Sequence, residues 1–565
     1  MSTIDWIILF VTLFSIVSYG IYKSRNNKNL DSFLLADKQL PWYHVGFSVM
    51  ATQASAITFL SAPGQAYTDG LRFIQFYFGL PLAMIVICTS FIPIFRNLNV
   101  YTAYEYLEKR FDTKTRLLTA FLFLLQRGLS TGITIYAPSI VLSTILNLNI
   151  NYTTIIIGCL VISYTVFGGT KAVSYTQLFQ MIIIFSGLIL AAVIVVYMLP
   201  PNIGFVDSLR IAGKLNKLNA IDTSFDWNNR YNIWSGIIGG FFLQLSYFGT
   251  DQSQVGRYLT GKSTAQSRLG LLMNGLIKIP MQFFILMIGI LVFTFFQFQT
   301  PPVFFNESEL KNLKSNEKYV QKVEDIENKF EVVISEKREI VFNLINSIKQ
   351  NDKKAEKINT EYLILKNKES EALKNQSKEL IKQNNPKADT NDSNYIFLNF
   401  VMNYFPKGLI GLLIAIIFLA SMGSTASGLN SLASTTVVDF YKRLINNNSN
   451  EKQDLLLSRL TTAAWGIFCI VVALFAAKLG NLIEAVNILG SLFYGTILGI
   501  FLSAFFIKKT KGTSIFISAI ITEIIVFYIW YNQAVAFLWL NVLGCLLVIL
   551  LGVTLELINS KKSKI

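Results

Sequence analysis

The chain has 565 residues, 52% of them hydrophobic and only 15% charged, and its apolar residues gather into runs of about twenty, long enough to cross a bilayer core as helices. That pattern excludes a soluble globular class. The formal charge of +15 is scattered through short loops between apolar runs rather than collected on one basic domain, which argues against a nucleic-acid partner.

Thirteen spans are predicted, at approximately 4–22, 43–67, 71–95, 115–146, 152–168, 175–199, 233–256, 268–297, 407–440, 459–479, 481–507, 513–531 and 534–557. The first begins almost at Met1 without a basic leader or a small-residue cleavage site, so it is kept as a membrane helix. Basic residues follow alternate spans: Lys23, Arg25 and Lys28; Arg96, Lys109, Arg110, Lys114 and Arg116; Arg257, Lys262 and Arg268. They recur at Lys442 and Arg443, at Lys508, Lys509 and Lys511, and at Lys561, Lys562 and Lys564. With thirteen spans all of these fall on one side, which predicts a cell-membrane protein with its N-terminus outside and its C-terminus in the cytoplasm.

Between Pro302 and Asn394 the composition changes to Lys, Glu, Asn and Gln. Val323, Ile326, Phe330 and Val333, then Ile340, Leu344 and Ile348, recur at helical spacing, so a charged helical hairpin projecting outside is expected rather than a disordered linker. The organisation is therefore spans one to eight in 1–302, an extracytoplasmic insert in 303–394, and spans nine to thirteen in 395–565.

Cys88, Cys159, Cys469 and Cys545 lie singly in apolar runs and suggest packing, not disulfides or zinc. With one histidine, His44, and no HExxH or Walker A motif, neither metal hydrolysis nor ATP-driven pumping is indicated, and no paired carboxylates mark a membrane enzyme.

Two spans look interrupted. The second reads ATQASAITFLSAPGQAY, with small and polar residues in mid-span; the seventh reads GGFFLQLSYFGTDQ. They lie five spans apart, the spacing of equivalent helices in two inverted five-helix repeats. Packing by small residues is the alternative for each. In the ninth span, ASMGSTASGLNSLAS places hydroxyls on an otherwise apolar helix. A dehydrated Na⁺ takes oxygen ligands, which freed carbonyls and such hydroxyls supply; the alternative is that the hydroxyls bond back to carbonyls one turn earlier.

SAITFLSAPGQAY, YTAYEYLEKRF, YTVFGGTKAVSYTQLFQ, YFGTDQSQVGRYL and the ninth-span serine run together resemble the sodium:solute symporter family, most nearly its monocarboxylate, multivitamin and iodide branch. Members carry sugars, inositol, proline, monocarboxylates, vitamins, sialic acids or iodide with Na⁺. The resemblance implies an all-α polytopic membrane protein of LeuT type, with a 5+5 inverted repeat, one helix before it and two after. It carries a sodium site onto the carbonyls of Ala51, Ala54 and Ala420 and the hydroxyl of Ser424. The family usually has a hydroxyl just before Ser424, where this chain has Gly423, and Gln177 replaces the aspartate of a second sodium site, so one ion is expected. Matched to sugar-carrying members, Thr58, Tyr77, Gln244, Lys278 and Asn487 face the substrate and Tyr247 is a gate. Lys278 lies roughly 15 Å into its span, a costly place for an ammonium, and favours a carboxylate or polyhydroxyl solute. The expected function is Na⁺-coupled symport of a small organic solute into the cell by alternating access, with the bilayer as surroundings and no obligate protein partner. Proton coupling, or a solute sensor of the same fold, are the alternatives.

Overall fold

A computed structural model describes residues 1–24, 36–98, 100–386, 388–446, 450–476 and 479–562, so Arg25, Lys28 and Lys564 of the predicted basic clusters lie outside the described residues. Helices account for almost all of the regular structure; among the described residues the one extended pairing is a single parallel bridge between Leu40 and Gly261. Among the described residues, ten helices are long and apolar enough to cross a membrane.

The first span is α1, Thr3–Ser24. The second is two helices, α2 (Trp42–Gln53) and α3 (Ala56–Asp69). The third is irregular: a 3₁₀ stretch Gly70–Tyr77, α4 (Leu80–Val86), a π turn Ile87–Phe91 and α5 (Ile92–Asn97). A short α6 (Tyr104–Arg110) leads into α7 (Thr113–Leu146).

The fifth and sixth spans were predicted as separate helices. Helical hydrogen bonding instead runs without interruption through α8, Ile150–Tyr197. Twelve residues of straight helix rise about 18 Å, yet the hydroxyls of Tyr164 and Thr176 lie 2.8 Å apart. The helix therefore bends sharply between Tyr164 and Thr176.

A short α9 (Phe205–Lys214) precedes the seventh span, which consists of a π turn at Ser235–Gly239, α10 (Gly240–Thr250) and α11 (Gln252–Tyr258). The eighth is α12, Thr264–Phe298. The polar segment forms α13 (Glu307–Lys314) and two long helices, α14 (Glu317–Lys349) and α15 (Lys353–Asn384), packed on each other through Val323, Phe330 and Leu344. Far from standing clear, the hairpin leans on the membrane part: Phe342 packs 5.3 Å from Phe298, and the Lys374 ammonium lies 5.9 Å from the Tyr67 ring of α3. Then come α16 (Ser393–Tyr404), α17 (Leu409–Thr435) continued by a π stretch Thr436–Ile445, α18 (Glu451–Phe475), α19 (Leu482–Phe506), α20 (Gly512–Tyr531) and α21 (Phe537–Lys562).

The core centres on the broken span. α17, buried along almost its whole length, packs against α1, α2, α3, α7, α8 and α18. α12 runs alongside both halves of the second span. A Cβ at Gly270 would meet the Trp42 carbonyl oxygen at 2.8 Å, and one at Gly289 would meet that of Pro63 at 2.2 Å. Without lipid-excluded hydrophobic drive inside a bilayer, such close backbone approach is a main source of helix association. Gly289→Val is therefore expected to destabilise the fold by ~1–3 kcal/mol, seen as a lower thermal unfolding midpoint in detergent, whereas Gly204→Ala, with open space around it, leaves the midpoint in place.

Candidate transport site

The second span breaks where small and polar residues interrupt it. Ala54 (φ −82°, ψ 77°) leaves the helix and Ser55 is extended. The Ala54 amide still donates to Met50, but the Ser55 amide turns to the Gln53 carbonyl at 3.0 Å instead of reaching Ala51. The Ala51 carbonyl thus loses the partner that a continuous helix supplies, at the electronegative end of α2. On α17, the Ser424 hydroxyl donates to the Ala420 carbonyl (2.9 Å) and to that of Ser421 (3.1 Å), the back-bonding that the sequence left open. Its lone pairs remain available, and Ser424 lines the same cavity as Thr52, Gln53 and Ser55. Carbonyl and hydroxyl oxygens without a carboxylate suit a small, hard, singly charged cation.

Gln177 of α8 ties these elements together. Its Oε1 accepts from Ser48 (2.6 Å), while Nε2 donates to the Gly423 carbonyl (3.1 Å) and to the Ser427 hydroxyl (3.0 Å). Thr52 also donates to Ser427, at 3.0 Å. An uncharged amide therefore bridges α2 and α17. The missing side chain at Gly423 is explained by its neighbour: a Cβ there would come within 2.6 Å of Gln180 Oε1, so the Gln180 amide takes the space.

The adjoining cavity, of about 100 Å³, brings together Thr58, Tyr77, Asn487 and Tyr247 with Ser424. Gln244 and Lys278 are fully buried but do not line it; neither amide atom of Gln244 has a partner, and the Lys278 ammonium stands 5.9 Å from the Tyr77 ring without a hydrogen bond. Glu484, in the first turn of α19, is held by Arg230 (2.9 Å) and Tyr231 (2.9 Å).

Two residues escaped the sequence reading. Arg127 of α7 lines the cavity and pairs with Asp251, which sits at the break between α10 and α11. Tyr494 of α19 joins them, donating to Asp251 (2.7 Å) and accepting from Arg127 (2.9 Å). Asp251 also accepts from the Ser253 amide and hydroxyl, and the guanidinium lies 5.4 Å from the Tyr247 ring. Tyr247 is itself held by Gln254 at 2.6 Å. The available signal was an ionisable residue deep inside an apolar run, the same signal that singled out Lys278.

The sequence profile of the sodium:solute symporter family matches residues 33–323 and 381–522, leaving out only part of the polar insert internally. The chain belongs to that family. It is a sodium-coupled secondary transporter of a small solute and not an enzyme. Among its relatives is the sodium/sialic acid symporter NanT of Aliivibrio fischeri, 24% identical over 98% of this chain and 92% of the relative. Another is the human sodium/iodide cotransporter, 32% identical over 44% of this chain and 38% of the relative. The fold is also that of a Na⁺-coupled sialic acid symporter solved in a substrate-bound, outward-open state, with a TM-score of 0.76 at 22% identity over 99% and 98% of the two chains.

The symporter's cavity is sealed at the end where α10 breaks. The YTAYEY segment packs there: Tyr104 donates to the Thr250 carbonyl (3.1 Å), and Gln252 bonds both the Ala103 amide (3.1 Å) and the Tyr101 carbonyl (2.8 Å). Arg116 joins Asp439 (2.7 Å) to Glu108 (2.7 Å), and Arg443 closes the network onto Glu108 at 2.5 Å. Burial alone would raise the Glu108 carboxyl, but hydrogen bonds from Arg443, Arg116 and Thr113 outweigh it and hold the group at about 2. With the folded value below the ordinary 4.5, the contribution of Glu108 to the seal is complete above about pH 4.5 and is lost only as pH falls through 2. Maleimide labelling of Ser434→Cys, in a chain with its own cysteines replaced, should therefore stay slow from pH 8 to pH 5, while Glu108→Gln accelerates it severalfold. Equal labelling rates with and without Glu108 would show that the network does not hold this side shut.

Proposed function

We propose that the chain carries a small organic acid into the cell with one sodium ion per cycle. The observation behind the substrate class is Arg127: it is the charged donor on the cavity wall, its Nε is unpartnered, and Asp251 and Tyr494 hold the guanidinium in a fixed plane. A planar, orientated guanidinium recognises a carboxylate through paired hydrogen bonds. The hydroxyl and amide groups of Thr58, Tyr77 and Asn487 around the same space suit the polar remainder of a solute such as sialic acid or a short hydroxy acid. Lys278, whose ammonium stands 5.9 Å from the Tyr77 ring, joins the substrate site if that ring moves.

Sodium is held by the carbonyls of Ala51, Ala54 and Ala420 and by the Ser424 hydroxyl. A single ion fits because the Gln177 amide already bridges α2 and α17 without charge. Sodium joins the two halves of the second span to α17 and orders the cavity, so ion and solute each favour the closed form; that reciprocal preference is coupling. Tyr247, beside the Arg127–Asp251 pair, is the gate toward the cytoplasm. The architecture is read as thirteen spans, ten of them in two inverted five-helix repeats, in the cell membrane with the N-terminus and the 303–394 insert outside. No obligate protein partner is invoked.

Uptake of radiolabelled sialic acid, short carboxylates, sugars and pantothenate into proteoliposomes tests this, with and without an inward Na⁺ gradient. An acid is expected to be taken up only with sodium. Ser424→Ala should weaken the apparent Na⁺ affinity about tenfold, ~1.4 kcal/mol. Arg127→Lys, which keeps the charge beside Asp251 but loses the planar fork, should raise the KM for the acid by a similar factor. Preferential uptake of a neutral sugar would overturn the substrate class, and equal drive by a proton gradient would move the coupling to H⁺.

A further inference from the structure

A second, smaller pocket lies on the other side of the Gln177 bridge. It encloses about 20 Å³, with Ser427 in its wall, and is built from Arg257 of α11, Thr170 of α8, and Asn430, Ser431 and Ser434 of α17. A space of roughly 10–15 Å³ already admits one water-sized particle, so this one takes a single small ion or water but no organic solute. The basic-cluster reading had put Arg257 in a cytoplasmic loop. The structure buries it to 3% exposure, with Nη1 unpartnered and no carboxylate bonded to it among the described residues. Asn430, also 3% exposed, lines the same pocket with both amide atoms unpartnered.

A buried guanidinium without a counter-charge is costly, and intramembrane charges are ordinarily paired. Here the wall offers a positive charge and a free amide N–H, and no carboxylate lines it, so a cation is repelled and an anion is favoured. The hydroxyls of Ser431 and Ser434 donate to backbone carbonyls at 2.7 and 2.9 Å, bonds that a charged acceptor inside the pocket can displace.

We propose that this pocket binds one small inorganic anion of chloride size, held by Arg257 Nη1 and Asn430 Nδ2. The anion neutralises Arg257 while the inner side is closed. Ser431 follows Ser424 by seven residues on α17, about 10 Å along the axis, so the anion lies near enough to attract the sodium ion proposed above. By linkage each ion then strengthens the other's binding by the same factor. Its walls belong to three elements, and their separation when the inner side opens releases it.

The test uses the full-length protein in detergent with ³⁶Cl⁻ in equilibrium dialysis, which reads anion binding directly and does not depend on the solute or on sodium coupling. One chloride per chain is expected, with sodium affinity at least threefold tighter in chloride than in gluconate. Asn430→Asp supplies a tethered carboxylate beside Arg257; it should abolish chloride binding and keep sodium affinity high in either salt. Arg257→Gln should lose chloride binding as well, and wild type together with Asn430→Asp decides the matter if that variant does not fold. Wild-type protein that binds no chloride and is indifferent to gluconate would show that the pocket holds water only. Stoichiometric chloride that survives both substitutions would place the anion elsewhere, and either result overturns the proposal.

Discussion

Backbone hydrogen bonding is the constraint on which the rest of this molecule depends. In hydrocarbon an unpaired amide or carbonyl costs several kcal/mol, so a spanning helix breaks only where protein or cargo takes over the lost bonds. The second and seventh spans break, at Ala54–Ser55 and at Asp251, and each of these breaks is supported from the side. At the first, α17 and α12 flank both half-helices, and Gln177 reaches across to α2. At the second, the Asp251 side chain caps α11 through the Ser253 amide while its other oxygen takes Arg127 and Tyr494. Carbonyls left over at the first break are what a cation can use.

The two breaks are satisfied in different currencies. The first is lined by neutral oxygens, which suits an ion that must arrive and leave; the second carries a fixed ion pair, fully buried on the Asp251 side. Removing either member of such a pair leaves an uncompensated charge, a far larger penalty than the pair's net worth. Arg127 and Asp251 are thus bound to stay together through any movement of α10 against α7, unless another anion takes the guanidinium. That linkage connects the fourth, seventh and eleventh spans beside the cavity.

How much of this was legible in the sequence followed from how local the information was. The break in the second span showed because ATQASAITF interrupts an apolar run at the residues that fail to propagate the helix. The serine run of α17 showed for the same reason, and the helical period of Val323, Ile326, Phe330 and Val333 reappears as the buried face of α14. The interruption read over GGFFLQLSYFGTDQ falls near its end, at Asp251. Gly239 and Gly240 serve close packing instead, their Cβ positions falling against Leu538 and the Phe76 carbonyl, while the chain turns at Asp251. The two spans around Gly168 and Gly169 were distinct by hydropathy but are one hydrogen-bonded helix, since bending a helix need not end it. Arg127 and Asp251 stand 124 residues apart, and nothing local to either announces the other.

Lys278 and Arg127 show why a buried charge in a span is an incomplete clue. Both lie deep in apolar helices, and both fit the rule that intramembrane charges serve function. Only Arg127 borders the open cavity; Lys278 lies beside the Tyr77 ring, facing no acidic group that bonds it among the described residues. Sequence depth fixes how far a residue sits along its helix but not which neighbour it faces, because 3.6 residues per turn make every heading available within one turn. The heading is set by packing, here by Gly270 and Gly289 pressing α12 onto the second span; the Lys278 ammonium comes to lie beside the Tyr77 ring, and the cavity wall is left to α7.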